Sequence, residues 1–144
     1  MISRLLLGIV LASGVLRADL QQIKAEPNLG RRSALALDNA FNALTQARDA
    51  YTKGENAKVE TFAREIQESV TLAETSLDET GKNPRKSPKW FKRAESSTRD
   101  LLRRLESFQQ SMDASDRSMI DAVKAKVQQV HEDLLLGVLE GKEK

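Results

Sequence analysis

The sequence predicts an all-α protein: an antiparallel up-down-up-down four-helix bundle over residues 33–141, preceded by a signal peptide over 1–18 and a linker over 19–32. Three observations predict it. Apolar residues recur at steps of three and four in four separate stretches, the spacing of one helix face, and no stretch shows the period of two that a half-buried strand needs. Aromatic residues make up 4% and charged residues 31% of the chain, with seven glycines and three prolines, which favours long helices over a sheet. The first 18 residues carry no acid, only Arg4 and Arg17 as bases, and one unbroken apolar run.

That N-terminal stretch has the order of a secretory signal. Met1–Arg4 is short and positive, Leu5–Leu16 is apolar, and Ala18 precedes Asp19. As a helix the run spans about 18 Å, short of the ~30 Å hydrocarbon core, so cleavage is expected, with an uncleaved N-terminal membrane anchor as the alternative. Leu16 stands where a small residue is preferred, which leaves cleavage near Ser13–Gly14 or Ala25 as alternatives. The expected location is exported, periplasmic or secreted. Absence of cysteine fits, because such a chain is indifferent to an oxidising compartment.

Asp19–Arg32, with Pro27 and Gly30, reads as a linker. In the first helix Leu37, Ala40, Leu44, Ala47 and Tyr51 recur at helical spacing amid further alanines, so this helix is expected to approach a neighbour closely. Lys53–Asn56 is a turn with Asn56 as the expected cap. Val59, Ala63, Ile66, Val70, Ala73 and Leu77 mark the second helix, ended by Gly81 in a left-handed conformation. Ser87 and Pro88 open the third, the serine as cap and the proline at its first position. Its stripe is Phe91, Ala94, Thr98, Leu101, Leu105, Phe108 and Met112. Asp113–Asp116 is the next break, and Ile120, Val123, Val127, Val130, Leu134 and Val138 mark the fourth helix. Short connections between helices of this length imply the bundle; a tandem helical repeat needs shorter helices.

The stretches RRSALALDNA, GKNPRKSPKWFKRAE and VHEDLLLGVLEG resemble small exported bacterial helical-bundle proteins of unknown function, over residues 27–140. That resemblance implies export and a bundle, and no activity. The architecture also resembles the periplasmic four-helix cytochromes that hold b-type haem, a family that takes a Met ligand from the first helix and a His from the last. Here the first helix has no Met, and His131 lies about 18 Å along the fourth helix from Met119, so no haem or other cofactor is expected. With no His-x-x-x-His or Glu-x-x-His spacing, His131 reads as a boundary residue rather than a metal ligand. Carboxylates fall mainly at outward positions, Glu95–Arg99 and Asp100–Arg104 among them as i,i+4 pairs. Phosphate-cradling and nucleophile-elbow glycine motifs are absent, and the chain reads as a non-enzyme.

Charge is distributed unevenly. Beyond residue 18 the chain holds 21 bases and 21 acids, so its sum gives no reason to expect nucleic acid. Within it, Lys82–Arg104 holds nine bases and two acids, while Lys53–Gly81 holds three bases and seven acids. Lys82, Arg85, Lys86, Lys89, Lys92, Arg99 and Arg103, with Trp90, form the candidate anion- or partner-binding set; an anionic lipid or polyanion is the ligand class. The competing reading is a basic helix neutralised between two acidic neighbours. In a bundle the 82–88 loop shares one end with the close of the fourth helix, where Leu134–Leu139 is too apolar to face a single stripe. Leu136 or Leu139 is therefore expected outward, as a contact for a protein partner in the envelope, a second copy or a membrane.

Overall fold

The computed structural model describes residues 19–140; the expected signal peptide over 1–18 lies outside the described residues. Four long helices form the fold: α1 (Leu29–Thr52), α2 (Asn56–Glu79), α3 (Pro88–Ser111) and α4 (Asp121–Glu140), the last entered through a 3₁₀ turn at Arg117–Ile120. There is no strand among the described residues, and no helix among them is long and apolar enough to cross a membrane.

The helix ends follow local chemistry. Asn28 caps α1, its Oδ1 accepting from the Arg31 amide at 2.9 Å. The helix thus begins four residues before Ser33, and Gly30 lies inside it. The segment read as a linker is itself helical over 19–24, with Leu20 buried and Ile23 packed against the core, before the chain turns at Ala25–Pro27. Glu55, not Asn56, is the residue before α2, and neither it nor Ser87 before α3 makes a side-chain cap. Gly54 and Gly81 take the positive φ that their turns require, 75° and 63°.

The apolar stripes are the core. Phe91, Ala94, Thr98, Leu101, Leu105 and Phe108 on α3 and Met112 just past its end are all buried, as are Val59, Ala63, Ile66, Val70, Ala73 and Leu77 on α2. Val138 and Tyr51 are only partly buried, at the ends of their stripes. The α1–α2 interface is the most extensive. Ala36, Ala40, Ala43, Ala47 and Ala50 are buried on one side and Ala63, Ser69, Ala73 and Ser76 on the other, small side chains that let two backbones approach. Inside it, Asn39 Nδ2 donates to Ser69 Oγ at 2.9 Å, satisfying a buried amide.

Consecutive helices are antiparallel: Arg32 near the start of α1 pairs with Glu79 at the end of α2, and Gln109 late in α3 donates to Asp121 at the start of α4. The arrangement of the two hairpins differs from a bundle whose neighbours are all antiparallel. α3 packs on α1 and α4 on α2, whereas α1 and α4 make no contact. The order around the bundle is α1–α2–α4–α3, and the pairs α1/α3 and α2/α4 run parallel. Trp90 meets Gly30 at the starts of α3 and α1. Further along, Arg48 donates to the Arg104 carbonyl, and the Tyr51 and Phe108 rings meet edge-to-face at 5.9 Å.

Two glycines seat the connection from α2 to α3 as it crosses the bundle end. A Cβ on Gly30 would fall 2.3 Å from the Trp90 indole nitrogen, and one on Gly137 would lie 3.3 Å from Pro84 Cγ. At the opposite end the Tyr51 hydroxyl accepts from the Asp113 amide and donates to Asp116, both at 2.9 Å, tying the α3–α4 turn to α1. If the alanine strip sets the α1–α2 distance, Ala40→Leu is expected to cost about 1–3 kcal/mol in chemical denaturation. The same change at exposed Ala125 should stay within about 0.5 kcal/mol. Equal effects at both positions would contradict close packing.

Candidate functional site

The order of helices sorts charge by side. α1 carries three bases and two acids, α3 six and three, and the 80–87 connection three bases and no acid. α2 carries two bases and six acids, and α4 two and four. Because α2 sits diagonally from α3, the basic helix is not flanked by two acidic ones; of the two helices packed along it, α4 carries more acids than bases and α1 more bases than acids. Neutralisation by two acidic neighbours is thereby removed as an account of the basic stripe.

The candidate bases divide into two groups. Arg99 pairs with Glu95 at 2.9 Å and Arg103 with Asp100 at 3.1 Å, both within α3, so these two are occupied on the helix surface. Lys82, Arg85, Lys86, Lys89 and Lys92 are exposed and make no ion pair among the described residues. Their position is set locally. Asn83 Oδ1 accepts from the Arg85 amide and the Asn83 carbonyl from the Lys86 and Ser87 amides, folding the loop into a tight turn. Lys89 Nζ stands 4.9 Å and Arg93 Cζ 5.8 Å from the centre of the Trp90 ring, cation–π contacts that add positive charge beside an aromatic already held by Gly30.

The same end holds the starts of the parallel helices α1 and α3, whose dipoles both present their positive ends there. Neither helix has an acid in its first turn, and α3 has no side-chain cap to absorb its first amides. Leu136 and Leu139 at the close of α4 are 42% and 63% exposed, the exposed large hydrophobics among the described residues. Gly137, which lies between them in sequence, packs on Pro84, so the two leucines share this end of the bundle with the basic loop.

On the other side of this end, the sequence reading missed a contact. Carboxylates expected outward include Glu74 of α2 and Asp133 of α4, which the parallel register brings within hydrogen-bonding reach of each other. Burial raises the Glu74 pKa, and the Asp133 charge, its hydrogen bond and Asp78 add to the rise, opposed by Lys126. The pair borders a concavity of about 190 Å³ with Leu77, Pro84, Leu134 and Gly137. Glu74 stands one residue from the core position Ala73, a signal of its half-burial, while Asp133 beside Leu134 is exposed; nothing local links the two helices. His131 also has a partner: its Nε2 lies 3.1 Å from Glu95 Oε1 across the α3–α4 interface, a boundary histidine held by a carboxylate that also pairs with Arg99. Among the described residues no group of three or more His, Asp or Glu is placed to hold a metal ion.

No protein-family model, curated protein or solved structure matches the chain. The geometry of this end is therefore what bears on function.

The acid pair has a pH signature. Folded Glu74 keeps its proton to higher pH than it would unfolded, so its contribution is complete below the ordinary glutamate range and is lost as pH rises through the raised value. Glu74→Gln is expected to raise the thermal midpoint at neutral pH and to flatten the decline between mildly acidic and neutral pH. Thermal melts across that interval check it; a variant less stable than the parent at neutral pH contradicts the assignment.

Proposed function

We propose that the chain is a non-catalytic interaction protein of the cell envelope that docks end-on against an anionic lipid surface, through the 82–88 loop and the start of α3. The observation that carries the reading is the gathering of five unpaired bases and two exposed leucines at the same end of the bundle. Cations held near an anionic surface contribute about 1 kcal/mol each. Apolar side chains among them add burial at the headgroup boundary, a contribution that favours lipid over a soluble polyanion. The N-terminal signal pattern supports placement in the envelope. Arg99 and Arg103, occupied by acids of their own helix, take little part.

Flotation with vesicles tests the docking. Binding is expected to vesicles containing phosphatidylglycerol and not to phosphatidylcholine alone, and to weaken as salt shortens the ~10 Å screening length of a 0.1 M solution. Converting Lys82, Arg85, Lys86 and Lys92 to Gln should abolish flotation, Leu136→Glu should weaken it, and Arg99→Gln with Arg103→Gln should leave it nearly intact. Equal binding to neutral vesicles, or heparin binding without vesicle binding, overturns the lipid reading. For the envelope placement, intact mass from the native host is expected to begin near Asp19, in an envelope or secreted fraction. Full-length protein in the cytosol contradicts it.

A further inference from the structure

Between the starts of α1 and α3 lies an open cleft of about 520 Å³, within the ~300–1,000 Å³ of small-ligand sites. Leu29, Leu77, Trp90 and Phe91 supply apolar walls, and its charged lining residues are Lys82 and Lys89 alone. Neither lysine makes an ion pair among the described residues; the Lys89 ammonium rests 4.9 Å from the centre of the Trp90 ring, with no acid to compete for it. No acid lines the cleft, which disfavours cations. A small inorganic anion could meet the lysines but would leave the partly exposed Leu29 and Trp90 facing water, forgoing burial worth about 25 cal/mol per Å². The complement to apolar walls with two bases is a molecule with a hydrocarbon chain and one anionic group.

We propose that this cleft binds a single-chain anionic amphiphile, its alkyl chain against the partly exposed Trp90 and Leu29, over a floor of buried Phe91 and Leu77, and its phosphate or carboxylate head on Lys82 and Lys89. Gly30 sets the wall: with no Cβ it lets the indole lie on α1. The positive ends of α1 and α3 at the cleft favour the anionic head over a neutral one. The assignment goes beyond membrane docking and does not depend on it, since a dissolved amphiphile can fill the cleft with no membrane present.

Trp90 is the single tryptophan of the chain, so its emission reports the cleft directly. The full chain is titrated, below micelle formation, with decyl phosphate, decanoate, decyltrimethylammonium and inorganic phosphate. A saturable blue shift is expected with the two anionic amphiphiles and none with the cationic one or with inorganic phosphate. Lys82→Gln with Lys89→Gln should weaken decyl phosphate by about tenfold or more, the value of one charge-assisted hydrogen bond. Gly30→Ala retains every base but displaces the indole; it should lose the saturable shift while keeping helicity and vesicle flotation. If Gly30→Ala loses helicity, the lysine pair decides the matter.

An equal response to the cationic amphiphile, a saturable response to inorganic phosphate alone, or undiminished binding by the lysine variant overturns the proposal. Flotation without decyl phosphate binding overturns the cleft alone. Decyl phosphate binding without flotation overturns membrane docking alone.

Discussion

The packing of α3 along α1 is the constraint on which the rest of the molecule depends. It is fastened at both ends, by Trp90 on Gly30 and by the Tyr51 hydroxyl on the Asp113–Asp116 turn, with Arg48 and the Phe108 ring between. Once α3 is there, α4 must cover α2, and the chain from α2 to α3 must cross the bundle end. The starts of α1 and α3 then share that end with the basic loop, and the acids of α2 and α4 gather on the far side. A neighbour order of α1–α2–α3–α4 would have put acidic α2 against basic α3 and removed most of the asymmetry.

Keeping like charges together destabilises a compact state through self-repulsion. The cost here is moderated by solvent, since the five bases are exposed, and by the Trp90 ring, whose π face attracts Lys89 and Arg93. Exposed ion pairs elsewhere on α3, such as Arg99–Glu95, contribute at most about 1 kcal/mol and are not what holds the helix. Its buried stripe does that: a fully buried leucine such as Leu101 contributes about 1.5–3 kcal/mol. The fold therefore tolerates an unneutralised basic end because stability comes from the core, leaving the surface charges free to act on something outside. Glu74 and Asp133 are the acidic counterpart, two carboxyls brought together by parallel helices.

What the sequence made legible was the inner face of each helix. The α3 stripe from Phe91 to Met112 is buried residue for residue, because steps of three and four among large apolar side chains leave one register. The left-handed Gly81 and the outward Leu136 and Leu139 could be read for equally local reasons: a helix stop, and a run of apolar residues longer than one stripe can absorb. The helical turn at 19–24 was hidden, since Leu20 and Ile23 are too few to set a period and Pro27 suggested a linker. Hidden too was the order of helices around the core. Periodicity states which face is apolar but not which helix covers it, and here glycine notches at 30 and 137 and the α1 alanines carry that information. With the order undetermined, the Glu74–Asp133 contact could not be derived, whereas the Glu95–Arg99 pair, set by spacing along one helix, could.

The most direct test is the through-space proton contact between the Trp90 indole and the α protons of Gly30, measured by NMR on the labelled chain. α3 along α1 predicts strong cross-peaks between them, together with contacts between the Tyr51 and Phe108 rings. Absence of both, with the indole instead meeting residues 75–79 on the outer face of α2, would place α3 beside α2 and contradict the sorting of charge on which the basic end rests.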